Sequence, residues 1–276
     1  MSGADGFADT ATACFRDLQR RVCAAFEAFE TQARFTARSW AKPPGHRLQG
    51  GGESRLMRGA VFEKVGVNVS HVFGVLSPEA RGQVAGADAS GGHFTACGIS
   101  LVAHMANPYV PAVHMNLRYL STSRAWFGGG SDLTPTFPFD EDTADFHDAL
   151  RDACEAYRPG TYAQLKAWCD RYFYLPHRQE LRGVGGIFFD ELASGNREAD
   201  FAFVRGVGEA FLAVYPRLVA RRKDTPYDDA ARERLLHKRG RYVEFNLVYD
   251  RGTRFGFNTD ADPDAYLMSL PPVVKW

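Results

Sequence analysis

The chain has 276 residues, 45% of them hydrophobic and 24% charged, a composition that can bury a sizeable core and is far from that of a disordered polypeptide. Lysine plus arginine and aspartate plus glutamate both total 33, so the zero net charge argues against a general nucleic-acid binder. Five scattered cysteines without a C-x-x-C pair point away from a disulfide framework and towards a reducing compartment, and no apolar run approaches the roughly 20 residues of a membrane span. The N-terminus has neither the basic and apolar regions of a signal peptide nor the look of a transit peptide, so a cytoplasmic protein is expected.

The first pattern along the chain is Phe15, Leu18, Val22, Ala25, Phe26 and Phe29, whose spacings of three and four predict one apolar stripe on a helix. A loop holding Pro43, Pro44 and Gly50-Gly51-Gly52 follows. The period then changes to two, and segments 54–74, 93–105 and 112–123 read as strands. After the glycine-rich stretch 128–130, helices are predicted over about 142–157, capped by Asp140 or Asp142, and over 161–174. A short strand at 184–190 precedes a long helix over 198–222, and a final hairpin is expected from 241–250 and 254–258. Strands in consecutive runs, apart from the helices, predict an α+β fold with a large, mainly antiparallel sheet, and nothing splits residues 1–276 into more than one domain.

Chemistry concentrates in a few segments. On a strand over 112–119, Val113, Met115, Leu117 and Tyr119 point one way, and His114, Asn116 and Arg118 the other. That second row combines a titratable base, an amide and a guanidinium, a ligand-handling set. The preceding strand adds Ser100 and His104 at the same period. The glycines of Trp126-Phe127-Gly128-Gly129-Gly130-Ser131-Asp132 allow close backbone approach to a ligand, but no Gly-Lys-Ser/Thr follows to make a phosphate loop. In Arg182-Gly183-Val184-Gly185-Gly186-Ile187-Phe188-Phe189-Asp190 the glycines precede a strand, whereas a dinucleotide fingerprint follows one. Of the 33 basic residues 27 are arginine, the side chain suited to bidentate capture of carboxylates, although a GC-rich genome accounts for the same bias.

Read together, His114-Met115-Asn116-Leu117-Arg118-Tyr119, the Trp126–Pro135 segment, Tyr172-Phe173-Tyr174-Leu175-Pro176-His177-Arg178, the Arg182–Asp190 segment and Arg241–Thr253 closely resemble the oxygen-dependent coproporphyrinogen III oxidase family. Gly51-Gly52-Glu53-Ser54-Arg55, Asn68-Val69-Ser70-His71-Val72 and Met268-Ser269-Leu270-Pro271-Pro272 also fit, in the family's order and over nearly the whole chain.

The resemblance implies a homodimer whose subunits each have a sheet covered by helices on both sides. It also implies oxidative decarboxylation of two propionates of coproporphyrinogen III to vinyls, with dioxygen as co-substrate and no organic cofactor. His114 is then the candidate proton donor, with Ser100, Asn116 and Arg118 contacting substrate. His104, His114, His147 and His177 match a divalent-metal set proposed in bacterial members. Four substrate carboxylates call for guanidinium forks such as Arg118, Arg182 and Arg251, and Asp132 or Asp250 is expected to accept from the pyrrole N–H groups. Two departures stand out: Asp260-Ala261-Asp262 replaces the family's Gly-Gly-Arg loop, and the chain ends at Trp276, before the usual C-terminal tail.

Overall fold

A computed structural model describes residues 6–258 and 262–276. Seven strands form one antiparallel sheet in the order β1 (Thr36–Ala41), β2 (Leu48–Met57), β3 (Phe62–Val75), β4 (His93–Met105), β5 (Ala112–Ser121), β6 (Ala125–Thr134) and β9 (Gly185–Leu192). The two short strands β7 (Tyr174–Leu175) and β8 (Glu180–Leu181) pair separately. The helices are α1 (Gly6–Glu27), α2 (Pro78–Arg81), α3 (Asp140–Tyr157), α4 (Thr161–Tyr172), α5 (Arg197–Arg222), α6 (Asp229–Val248), α7 (Arg251–Asn258) and α8 (Pro263–Tyr266). The expected α+β class with a large antiparallel sheet is what forms.

Period-two alternation decides which face of the sheet is packed. Val65, Val67 and Val69 of β3, Ile99, Leu101 and Ala103 of β4, and Val113, Met115 and Leu117 of β5 align across the strands and are fully buried or nearly so. On that face lie α1 and α5, with α3 packed beside α5. The stripe anticipated on α1 is the one that is buried: Phe15, Leu18, Val22 and Phe26. Phe26 stacks on Phe62 of β3 with ring centroids 4.6 Å apart. The opposite face carries Ser100, His104, His114, Asn116 and Arg118, and α6 lies towards it: Phe245 of α6 is buried with Phe173 and with Phe188 of β9.

Several boundaries differ from the expectations. Segment 54–74 is two strands, broken at 58–61, and Gly50–Gly52 lie inside β2 rather than in a loop. Gly128–Gly130 are strand residues in the body of the sheet. Neither Asp140 nor Asp142 caps α3, whose N-cap position is Phe139; Asp142 instead accepts from Arg221 Nη1 at 2.6 Å and Arg222 Nε at 2.8 Å. The largest difference is the final hairpin, which is absent: 229–248 is helical and 251–258 forms a further helix. Tyr242, Val243, Phe245 and Val248 have strand-like side chains, but Leu235, Arg239, Tyr242 and Asn246 recur at helical spacing and are all buried. Asp228 starts that helix by accepting the Ala231 N–H at 2.8 Å.

Candidate active site

The polar face of the sheet forms the floor of a cleft of about 1020 Å³, walled by residues from β1, β9, α6 and α7. Its floor is built by what β6 lacks. Arg118 stands opposite Gly128 and Asn116 opposite Gly130, so the side chains of β5 project with no neighbour beside them on β6. A Cβ on Gly130 would also lie 2.2 Å from the carbonyl oxygen of Ile187, so glycine is what lets β6 and β9 approach here.

The next cross-strand pair along, His114 and Asp132, carries the strongest electrostatics. Asp132 is 1% exposed, and its Oδ1 lies 2.9 Å from His114 Nδ1. Arg182, also 1% exposed, donates from Nη2 to both oxygens of Asp132, at 2.8 and 2.7 Å. Its guanidinium carbon lies 3.9 Å from the ring centroid of Phe173, 4.5 Å from that of Tyr242 and 4.8 Å from that of Phe245. Burial opposes a charge on Asp132, but the Arg182 guanidinium and the His114 hydrogen bond outweigh it and hold the carboxyl below its ordinary value. Asp132 therefore stays an anion, and the Nδ1–H tautomer of His114 is favoured, with Nε2 as the nitrogen left for proton exchange.

A second charged chain crosses the cleft beside the first. Arg118 Nη2 and Arg251 Nη2 lie 3.0 and 3.1 Å from the two oxygens of Asp190. Arg251, the first residue of α7, places its guanidinium carbon 5.3 Å from the ring centroid of Tyr172. Asp250 accepts from Tyr172 Oη at 3.0 Å through one oxygen, and from the Thr253 N–H and hydroxyl at 2.7 and 3.0 Å through the other. Burial, with the Asp250 carboxylate, pushes the Tyr172 phenol up to about 12, so it remains a donor.

Most of the anticipated residues thus line one cleft: Ser100, His114, Asn116, Arg118, Asp250 and Arg251. Arg182 lines the same cleft as a buried partner of Asp132, with its Nε unpaired among the described residues. Asp132 accepts from Arg182 through both oxygens and meets His114 through Oδ1. Asp190 and Tyr172 were not singled out from sequence; the only hint was a charged residue at the end of the apolar run Ile187-Phe188-Phe189.

The four histidines do not converge. His104 Nε2 meets the Ser269 carbonyl at 2.8 Å, and burial pushes its imidazole down to about 3, leaving it neutral. His147 meets the Val184 carbonyl at 3.1 Å and Tyr162 Oη at 2.8 Å. His177 lies 2.8 Å from Tyr249 Oη and 2.7 Å from Glu244. Among the described residues no group of three or more histidines, cysteines or carboxylates is arranged to hold a metal ion, so the four do not form the expected ligand set. Asp260 and Ala261 of the altered loop lie outside the described residues; Asp262 caps α8 and pairs with Arg38 of β1.

A family model described as Coproporphyrinogen III oxidase matches residues 10–276. An oxygen-dependent coproporphyrinogen-III oxidase of Rickettsia bellii (strain OSU 85-389) is 51% identical over 271 residues, covering 95% of each chain. Proteins of the same description from Rickettsia akari (strain Hartford) and Rickettsia peacockii (strain Rustic) are 51% and 50% identical over the same share.

Proposed function

The chain belongs to the coproporphyrinogen III oxidase family, and from that premise we propose how its cleft divides the work of the reaction. The reaction is the oxygen-dependent oxidative decarboxylation of coproporphyrinogen III in haem biosynthesis, which turns two propionates into vinyls and yields protoporphyrinogen IX. For each propionate the side chain loses carbon dioxide and a hydrogen with its bonding pair. Dioxygen takes that pair and leaves as hydrogen peroxide. One of the two peroxide protons comes with the β-hydrogen, and the other has to be supplied from the protein side.

His114 is the group we assign to that second proton. It lies on the cleft floor, and its Nδ1 is held by a carboxylate that the buried Arg182 keeps ionised, which orients the ring and supports a transient imidazolium. This His114–Asp132–Arg182 chain is the observation that carries the reading. Asp132 and Arg182 are positioning residues. Arg118 and Arg251 receive substrate carboxylates, with Ser100 and Asn116 donating hydrogen bonds beside them. Asp250, whose carboxylate reaches the cleft, is the candidate acceptor for pyrrole N–H groups, which would raise electron density on the ring that dioxygen attacks. No organic cofactor is assigned. Residues 1–276 act as one catalytic domain, in the cytoplasm, as a homodimer; the exposed Leu247 and Val248 at the end of α6 and Phe257 on α7 offer apolar surface to a second copy.

The test is His114→Asn, assayed by anaerobic loading with coproporphyrinogen III followed by admission of oxygen. Turnover should fall about 10²-fold or more while substrate binding changes by less than about threefold, the range for loss of a general acid. Unchanged turnover would remove His114 from the proton path.

A further inference from the structure

Strand β9 does not pair regularly to its end. Phe127 faces Leu192 and Gly129 faces Phe189, so Asp190 and Glu191 of β9 together oppose the single residue Gly128 of β6. Glu191 sits at φ 51°, a left-handed conformation that non-glycine residues rarely adopt. A bulge of this kind bends the strand and re-aims a side chain, and such backbone strain gathers at binding sites.

The side chain it aims is that of Asp190. Its Oδ1 accepts the Glu191 N–H at 3.0 Å, which anchors the carboxylate to the bulge. The same oxygen lies 3.0 Å from Arg118 Nη2, and Oδ2 accepts from Arg251 Nη2 at 3.1 Å. A Cβ on Gly128 would lie 2.6 Å from Arg118 Nε and 2.7 Å from Asp190 Oδ1, so a side chain there would displace one or both of these groups from their meeting. Arg118 Nε is buried with no hydrogen-bond partner among the described residues, a donor awaiting an acceptor. One carboxylate thus holds together a guanidinium rooted in the sheet and one rooted in α7. It offsets their mutual repulsion while leaving each arginine most of its five N–H donors.

We propose that Asp190 is a positioning residue for the tetracarboxylate substrate: by tying Arg118 to Arg251 it fixes the separation at which two propionates of one molecule are gripped. The inference rests on the reading above that those two arginines bind propionates.

The experiment compares Asp190→Asn, Arg118→Gln, Arg251→Gln and the double variant Asp190→Asn/Arg251→Gln under steady-state turnover of coproporphyrinogen III, with folding checked by thermal melting. Asp190→Asn should raise KM about tenfold or more with kcat within about threefold, as expected when charge-assisted contacts lose their geometry. The double variant should be less impaired than the product of the single effects, because both act on one clamp. If the arginine variants raise KM and Asp190→Asn does not, or if it lowers KM, the inference is overturned and the arginine reading stands. If none of the three single variants moves KM, the arginine reading fails and takes the inference with it. Should Asp190→Asn not fold, Asp190→Glu replaces it: the longer carboxylate should shift KM about threefold or more with kcat kept, and an unchanged KM overturns the proposal.

Discussion

The two faces of the central sheet are made by the same strands and obey opposite rules. On the face under α1 and α5, Val113, Met115 and Leu117 of β5 are completely buried among other apolar side chains. Burying such side chains stabilises by about 1.5–3 kcal/mol each, so this face is where folding free energy comes from. On the cleft face, residues one position away, His114, Asn116 and Arg118, are only partly covered, and the groups buried beneath them are ions. Desolvating a carboxylate and a guanidinium costs about as much as their attraction returns, so the Asp132–Arg182 pair adds little net stability. What it supplies is a fixed charge beside an imidazole. The contrast teaches that period-two alternation separates the work of holding the fold from the work of chemistry, strand by strand.

The sharpest way to break that comparison is to damage each face once. Asp132→Asn leaves Arg182 with a neutral partner and His114 without its anchor. We expect turnover per folded molecule to fall about 10²-fold or more, with substrate binding largely spared. Phe211→Ala, in α5 on the packed side, removes a ring that is 0% exposed and should lower the unfolding free energy by about 3–5 kcal/mol. Its turnover per folded molecule should stay within about twofold, since nothing on the cleft face moves. Denaturant titration beside steady-state kinetics reads both quantities. A Phe211 variant that lost turnover as steeply as the Asp132 variant would show that the two faces are not separable.

How much of this was legible depended on whether the signal was local. The alternation in β5 was, because a strand sorts its own side chains, and it placed His114, Asn116 and Arg118 on one face. Gly128 to Gly130 were opaque, since residues without side chains carry no period, and their function, clearing a floor between neighbouring strands, exists only once those strands pair. Helix α6 was misread because its last eight residues look strand-like alone; the burial of Arg239, Tyr242 and Asn246 that settles it comes from tertiary packing. The Asp132–Arg182 contact joins residues 50 apart, and no composition rule predicts that a conspicuous arginine will be spent on an internal carboxylate. The bulge at Asp190 and Glu191 leaves no mark in the sequence at all.

A smaller effect sharpens the comparison on α6, the helix that lies towards the cleft face. Glu244 of α6 accepts from Arg178 Nε and Nη2 at 2.9 and 2.6 Å and lies 2.7 Å from His177 Nε2. The Arg178 hydrogen bonds bring its carboxyl down to about 2. A carboxyl whose folded pKa is depressed contributes stability that is present above its unfolded value, near about 4.3, and is lost as pH falls through the folded one. The Glu244 contribution should therefore be complete at neutral pH and fade between about pH 4.5 and 2. Glu244→Gln should flatten the acid limb of a plot of stability against pH in that window and leave the neutral-to-alkaline limb parallel to the parent. An acid limb of unchanged slope would mean that the pair is too well solvated to matter.

The smallest expected effect is none, and it separates two readings of the histidines. Had His104, His114, His147 and His177 shared an ion, each would need a lone pair aimed at a common point. Instead His147 and His177 each have both ring nitrogens engaged, the former by Val184 and Tyr162 and the latter by Glu244 and Tyr249, while His114 is tied to Asp132. Withdrawing three rings from those partners would sacrifice several hydrogen bonds, each contributing about 1 kcal/mol or less, to assemble one site. Prolonged dialysis against a strong chelator should accordingly leave both the melting temperature and the oxygen-dependent turnover unchanged within error. Chelator-sensitive turnover restored by one divalent metal would require the histidines to leave these partners. It would also move the catalytic centre away from the His114–Asp132–Arg182 chain that distinguishes the cleft face from the packed one.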